Sequence, residues 1–350
     1  MIIYKRFKNM SDIFLDTLHG KSTSRPPVWF MRQAGRVLPS YNALKEKHTF
    51  WQLMKAPDLA AKVTLLPIDD LGVDAAILFS DILVIPYAMG MGLDFTDQGP
   101  VFEQPLITVD NPLERLNPDP SKLDYIYQAI DRILQTPNNT TPLIGFCGAP
   151  LTVMLFMLQG LGTRSNFADA EKFIFREKAL TRKIAEAVTD LTIAYALEQV
   201  KRGVSAFQLF DTHAGILPFS WYQELFMPSV RRIGDAVRQT GTPFIFFPKG
   251  IGAGIKEMDH DVCDFLSIDW QTDLYTAREL VDKKVGLQGN LDPRVLFASQ
   301  DVIRKELYRF VPFHQRESKW IFNLGHGLVP GIPVENVRFA VDFIKQAHWE

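Results

Sequence analysis

Apolar residues in this chain gather into short runs, and each run is followed by a longer stretch of mixed polar and apolar positions. Residues 28–31, 75–79, 143–146, 206–210, 244–247, 265–268, 285–287 and 320–323 are rich in Val, Ile, Leu and Phe and end at polar or turn residues, which predicts buried strands. The stretches between them carry helical spacing. Pro57-Asp58 opens one, with Ala60, Ala61, Val63, Leu66 and Leu71 on its buried side, Pro67 as a kink or junction, and Gly72 as the stop. Further helices are predicted over 121–134, 151–161, 171–200, 221–238, 273–281, 301–310 and 334–345. A short helix over 11–18, capped by Ser11, precedes them all.

Two stretches break the alternation. Residues 86–106 place Gly90, Gly92 and Gly99 among Tyr87, Leu93, Phe95, Val101 and Phe102, and predict a β-hairpin turning near Asp97-Gln98-Gly99. Residues 111–120 form a connector rich in proline and charge. Eight short strands, nearly all followed by helix, predict an α/β fold of the (β/α)8 or TIM-barrel type. The expected organisation is one barrel domain over 1–350, with an N-terminal extension 1–25 and a hairpin insertion 86–106 after the second strand. A doubly wound open sheet is the alternative, but no topological switch point is signalled. Beyond the strand–helix alternation there is no internal repeat.

Composition narrows the function. The chain has 350 residues, 47% hydrophobic and 22% charged, enough for a full core. A formal net charge of -2 gives no bulk electrostatic reason to expect nucleic acid or an anionic membrane as partner. Two cysteines, Cys147 and Cys263, make no disulfide framework and fit a reducing compartment, so a cytoplasmic location is expected. The start of the chain has no signal-peptide pattern, and the longest apolar run, 151–158, is too short to cross a membrane. The glycosylation patterns at Asn138 and Asn139 therefore carry no weight. The 26 phenylalanines predict many core positions or an aromatic-lined cavity.

In barrels of this type the chemistry sits where strands run out into loops. Those ends read Arg32 and Arg36, Asp81, Cys147-Gly148, Asp211-Thr212-His213, Lys249, Asp269, Asn290 and His326. The first is the most pointed. In F-M-R-Q-A-G-R, residues 30–36, two arginines lie four apart with Ala34 and Gly35 between them. Two guanidinium forks there suit a polyanion, and the alternative is a basic, solvated loop. Asp81 either caps the segment that follows or faces a pocket. Asp269 and Asn290 either cap helices and hold loops or join the site, and His213 and His326 are either structural hydrogen-bonders or site residues. Lys249 is a Schiff-base candidate, a salt-bridge partner of Asp269, or a surface residue. No dinucleotide, P-loop or serine-elbow motif occurs. His260 and Cys263 form a lone H-x-x-C, too few ligands for a closed zinc site.

Taken together, F-M-R-Q-A-G-R at 30–36, F-S-D-I-L at 79–83, G-A-P at 148–150, Q-L-F-D-T-H-A-G at 208–215, G-N-L-D-P at 289–293 and N-L-G-H-G at 323–327 resemble the uroporphyrinogen decarboxylase family. The resemblance runs in order over nearly the whole chain. It implies a distorted (β/α)8 barrel, a homodimer, and a carboxy-lyase of heme biosynthesis that needs neither metal nor organic cofactor. The implied substrate is uroporphyrinogen III, whose four acetate arms lose their carboxyl groups to give coproporphyrinogen III. By the same resemblance Asp81, Arg32, Arg36 and His326 are catalytic. Those residues together with Phe156 and Thr212 bind substrate. The chain also departs from the family pattern: Phe156 stands where a tyrosine is usual, Thr212 where serine is common, and Val37 where tyrosine often follows the second arginine. Two other implications stay open, a cobalamin-dependent methyltransferase of the same barrel type and a non-catalytic tetrapyrrole-binding protein.

Overall fold

The computed structural model describes residues 12–96, 99–160 and 166–349. Seven parallel strands build one curled, open sheet: β1 (Ala76–Ile77), then, past a hairpin of β2 (Leu93–Thr96) and β3 (Gly99–Phe102), β4 (Leu143–Gly148), β5 (Ala206–Asp211), β6 (Phe244–Pro248), β7 (Phe265–Ser267), β8 (Gly286–Gln288) and β9 (Trp320–Ile321). Each of the seven pairs only with its sequence neighbour in the sheet, in the order β1-β4-β5-β6-β7-β8-β9. That monotonic order rules out the doubly wound alternative, which needs a reversal of strand order. Every residue of β4 and β5 is buried, as expected for parallel strands covered on both faces.

The expected eighth strand, 28–31, is a correction. Only Val28 bridges Phe322 in parallel fashion. The reason is local competition for the ladder's donors. The Phe30 N–H donates to Gln33 Oε1 at 2.9 Å and the Met31 N–H to Asn323 Oδ1 at 3.1 Å, so side chains take the bonds a neighbouring strand would take. On its other side Val28 accepts from the Asp74 N–H at 2.8 Å. Asp74 also accepts from the Val28 N–H at 2.8 Å and holds Arg25 through a two-pronged ion pair.

Most expected helices are present with shifted ends. The helix Pro57–Leu71 runs unbroken through Pro67 and stops at left-handed Gly72. The stretch expected as one helix over 171–200 is two, Ala168–Arg176 and Lys178–Arg202, parted at the non-helical Glu177. The stretch 221–238 divides into Phe219–Leu225 and Met227–Arg238, with Pro228 opening the second. The first helix, Ile13–Leu18, is capped by Asp12, whose carboxylate accepts from Phe14 and Leu15; Ser11 lies outside the described residues. The insertion opens with a helical turn, Val84–Ala88, so its hairpin begins at Leu93 rather than at 86. Its register pairs Leu93 with Phe102 and Thr96 with Gly99; Asp97 and Gln98 lie outside the described residues.

The sheet encloses a polar layer as well as an apolar core. Gln288 donates to Gln208 Oε1 at 3.0 Å and to the Ser267 hydroxyl, and it accepts from Trp29 Nε1 at 3.1 Å. These groups are buried and satisfy one another, which keeps a polar layer affordable. The bond from Trp29 locks the segment just before the arginine pair onto the interior of the sheet.

Candidate active site

The F-M-R-Q-A-G-R segment leaves the sheet in a tight turn held from within. Buried Gln33 accepts the Phe30 N–H and donates to the Ala75 carbonyl at 2.9 Å. The turn puts Arg32 at φ 64°, and a Cβ at Gly35 would lie 3.0 Å from the Arg32 carbonyl oxygen. The turn is therefore tight at Gly35, where a side chain would press on the Arg32 carbonyl. The Arg32 side chain runs across Gly327, where any Cβ would overlap its Cγ and Cδ.

Asp81 is set by a second local device. The Leu78 N–H still joins the ladder, donating to the Ile144 carbonyl at 3.0 Å, but the Phe79 N–H goes to the Thr64 hydroxyl at 2.9 Å and pairing ends. Two residues on, Asp81 Oδ1 accepts the Leu83 N–H at 2.8 Å. Asp81 both caps its loop and lines the cavity, so the two readings of it hold together. Burial raises its pKa from 3.8 to about 6, against the lowering pull of the Leu83 N–H and of Arg32.

A cavity of about 510 Å³ opens here. Arg32, Arg36, Asp81, Phe156 and Thr212 all lie on its wall. Tyr41, Phe50, Phe79, Phe146 and Phe210 complete an aromatic lining, in keeping with the phenylalanine count. Among the described residues neither arginine side chain has a hydrogen bond or ion pair, so both forks are free for a ligand. The surrounding walls lower the Arg32 pKa by burial; Asp81 raises it and Arg36 lowers it. Solvent still reaches the guanidinium, which keeps its charge.

His326 lies beside the cavity rather than among the residues that line it. Its ring stacks on Trp270 with centroids 6.1 Å apart, and its Nδ1 is buried with no hydrogen-bond partner among the described residues. Burial, then Arg32, Lys249 and His213, lower its pKa to about 3, so the free protein carries it as a neutral donor or acceptor. His213 packs edge-on against Phe167 and Phe156, and burial followed by Lys249 and Arg32 lowers it to about 4. Phe156 is 6% exposed, and the hydroxyl usual at its position is absent from the aromatic wall. Asp211 is structural: Thr152 and Tyr222 both donate to its carboxylate, at 2.5 and 2.7 Å, and the Thr152 hydroxyl in turn accepts the His213 N–H.

Of the alternatives for Lys249, the salt bridge to Asp269 does not form. Asp269 accepts the N–H groups of Gly250 and Gln271 at 2.7 and 2.9 Å, leaving the lysine unpaired. Asn290 donates to the carbonyls of Asp269 and Thr272, which makes it a loop holder. Cys147 is buried, with its thiol pushed up to about 12. Among the described residues no three His, Cys, Asp or Glu side chains converge as metal ligands, and no helix is long and apolar enough to cross a membrane. Sequence reasoning passed over Tyr41, because the helix carrying it, Pro39–Lys45, is too short and polar to stand out. It also treated Gln33 as part of a motif rather than as the clamp that shapes it.

A curled parallel sheet with two unpaired arginines and one buried carboxylate on the wall of an aromatic cavity is the architecture of a β/α-barrel type of protein with a site suited to an organic anion. The family model for uroporphyrinogen decarboxylase (URO-D) matches residues 9–347. The uroporphyrinogen decarboxylase of Pelobacter propionicus is 40% identical over 339 residues, covering 96% of this chain and 99% of that one. The protein of the same name from Geotalea daltonii is likewise 40% identical over 339 residues, with the same coverage. The chain belongs to the uroporphyrinogen decarboxylase family. A solved methyltransferase from Methanosarcina mazei has the same fold, with a TM-score of 0.72 and 17% identity over 95% of this chain and 97% of that one. At that identity the likeness concerns architecture alone.

Proposed function

We infer that the chain is a uroporphyrinogen decarboxylase, a carboxy-lyase that converts the four acetate arms of uroporphyrinogen III to methyls. One observation carries the reading of the site: Asp81, a single carboxylate near neutrality, shares an aromatic cavity with two unpaired arginines. Loss of CO2 from a pyrrole acetate needs an acceptor for the electron pair. Protonation of the ring carbon supplies one, as an iminium-like cation. The C–CO2 bond then breaks, its electron pair neutralises that cation, and a second proton on the exposed methylene makes the methyl. The ring proton is lost as aromaticity returns, so each arm consumes one proton net. The substrate is its own electron sink.

Asp81 accepts the pyrrole N–H groups and stabilises the cation as it develops. At pH 7 a group titrating near 6 is mostly ionised, yet close enough to neutrality to exchange a proton. Arg32 and Arg36 bind carboxylate arms, by two-pronged contacts where the planes match. Phe156 and Thr212 form apolar and hydroxyl parts of the ring's seat. His326 is proposed as a neutral hydrogen-bonding partner for a carboxylate arm rather than as a cationic acid, because burial opposes its protonation.

The proposal extends to the whole chain. It reads as one (β/α)8 barrel domain closed through Val28, supported by the Phe322 bridge on one side and the Asp74 bonds on the other. A cytoplasmic homodimer is part of the reading, and sedimentation at several protein concentrations tests its assembly. The deciding experiment is anaerobic incubation with uroporphyrinogen III, followed by chromatography for products with seven to four carboxyl groups. Absence of those products from the wild-type protein overturns the assignment.

A further inference from the structure

The βα loops after β5, β6, β7 and β9 bring together His213, Lys249, Trp270 and His326 beside the cavity, a cluster of which the reading above uses only His326. Lys249 is half-buried and its backbone is fully engaged: its N–H donates to the Asp211 carbonyl and its carbonyl accepts the Gly215 N–H, both at 3.0 Å. Its ammonium lies 5.3 Å from the centre of the Trp270 ring. That ring is parallel to His326 within 15°. Trp270 can sit there because Gly325 has no side chain: a Cβ would overlap the Trp270 backbone nitrogen. The shelf that supports Lys249 is thus built by two strand ends meeting at a glycine.

The charge in this corner is not balanced from within the protein. The neighbouring acids are committed elsewhere: Asp211 to Thr152 and Tyr222, Asp269 to the N–H groups of Gly250 and Gln271. Among the described residues the Lys249 ammonium has no hydrogen bond or ion pair. Its field and that of Arg32 both reach His213 and His326. Arg32 and Lys249 therefore flank two imidazoles; of the carboxylates nearby, Asp81 couples to Arg32, and Asp292 is paired with Arg294, which also lies over the Trp270 ring. A half-buried, unpaired ammonium is held at a cost unless an anion completes it. A Schiff base does not fit, because a pyrrole acetate or propionate offers no ketone or aldehyde carbon to the amine.

We propose that Lys249 is a specificity residue of the decarboxylase reaction, an anchor for one carboxylate arm of the macrocycle on the side away from Asp81, with Trp270 as its positioning shelf. The inference rests on the decarboxylase reading above. It assigns the arginine pair and the lysine to different arms, so that a multiply charged macrocycle is gripped at more than one edge.

Lys249→Met and Lys249→Arg are compared with wild type in steady-state turnover of the octacarboxylate substrate and in binding of the tetracarboxylate product. Loss of a charge-assisted contact predicts a KM about tenfold higher or more in Lys249→Met, rising more than kcat falls, with most of the loss restored in Lys249→Arg. Weakened binding of both ligands assigns a propionate arm, and weakened binding of substrate alone assigns an acetate arm; either supports the inference. An unchanged KM overturns it. If wild type makes no decarboxylated product, the underlying reading fails instead. Should Lys249→Met not fold, acylation of Lys249 in the wild-type protein by an amine-reactive ester is measured by peptide mass. Saturating octacarboxylate substrate, sampled before turnover exhausts it, is expected to protect the lysine, and undiminished acylation overturns the inference.

Discussion

Replacing Asp81 with Asn is expected to remove activity and to make the protein more stable. The catalytic half follows from charge. A carboxylate about 4 Å from a developing cation, at an effective dielectric near 20, contributes about 4 kcal/mol. Loss of one preorganised electrostatic contact of this kind typically costs about 10²- to 10³-fold in kcat. The stability half follows from the titration. Burial raises the folded-state pKa from 3.8 to about 6, so the folded protein binds the proton more tightly than the unfolded chain does. Stability from this group is therefore highest below pH 4 and falls as pH rises through 6. The full difference corresponds to about 3 kcal/mol, and access of solvent from the cavity reduces it to about 2 kcal/mol. Asn keeps the oxygen that accepts the Leu83 N–H but carries no charge. At pH 8 the variant should gain about 2 kcal/mol, or about 3 °C in Tm for a chain of this length, and at pH 4 the gain should vanish. Chemical denaturation at the two pH values, with product chromatography beside it, measures both halves. An Asn variant less stable than wild type at pH 8 would refute the reasoning, because it would make Asp81 a net structural anchor.

Gly327→Ala is expected to displace the Arg32 side chain and lower kcat/KM at least about tenfold, with Tm nearly unchanged, because the clash falls on a side chain open to solvent. A matching loss of Tm would mean that the fold, not Arg32, absorbs the added methyl. Gln33→Leu leaves the Phe30 N–H and the Ala75 carbonyl buried without partners, and should destabilise by about 2–4 kcal/mol in a denaturant titration. Phe156→Tyr adds a hydroxyl at a position of the wall that lacks one; kcat/KM should rise severalfold at less than about 1.5 kcal/mol of stability, read from turnover and melting together. No gain in turnover would show that Thr212 or solvent already fills that role.

How legible this was from the residues depended on how local each cause is. The parallel order of strands followed from apolar runs divided by helical spacing, because each unit is bounded by its own turn and cap residues. Asp81 was legible because a carboxylate directly after a buried run has few innocent explanations. The run 28–31 misled because its composition is that of a strand, while the groups that cancel its ladder are side chains, one of them Asn323 at the far end of the chain. Lys249 and Asp269 looked like a pair from their places on adjacent strands. Nothing in their order reveals that backbone N–H groups had already filled the carboxylate. The split at Phe226 has a local cause that apolar spacing alone hides, Pro228 in the first turn of the next helix, and the split at Glu177 is a single non-helical residue that leaves the apolar spacing on either side intact.

The attachment of the arginine segment has a consequence for synthesis. Val28 bridges Phe322, Met31 donates to Asn323, and the Leu328 N–H closes back on the Met31 carbonyl at 2.9 Å. The arginines proposed to bind substrate are made before one of the two surfaces that hold their segment, the one formed by Phe322, Asn323 and Leu328. A growing chain can hold the arginine segment on one side, through Asp74 and the bond from Gln33 to the Ala75 carbonyl, while its other side waits for Phe322 and Asn323. The seat of the two arginines is therefore complete only once Phe322 and Asn323 are in place, and a chain stopped before residue 320 should bind product more weakly than the whole protein.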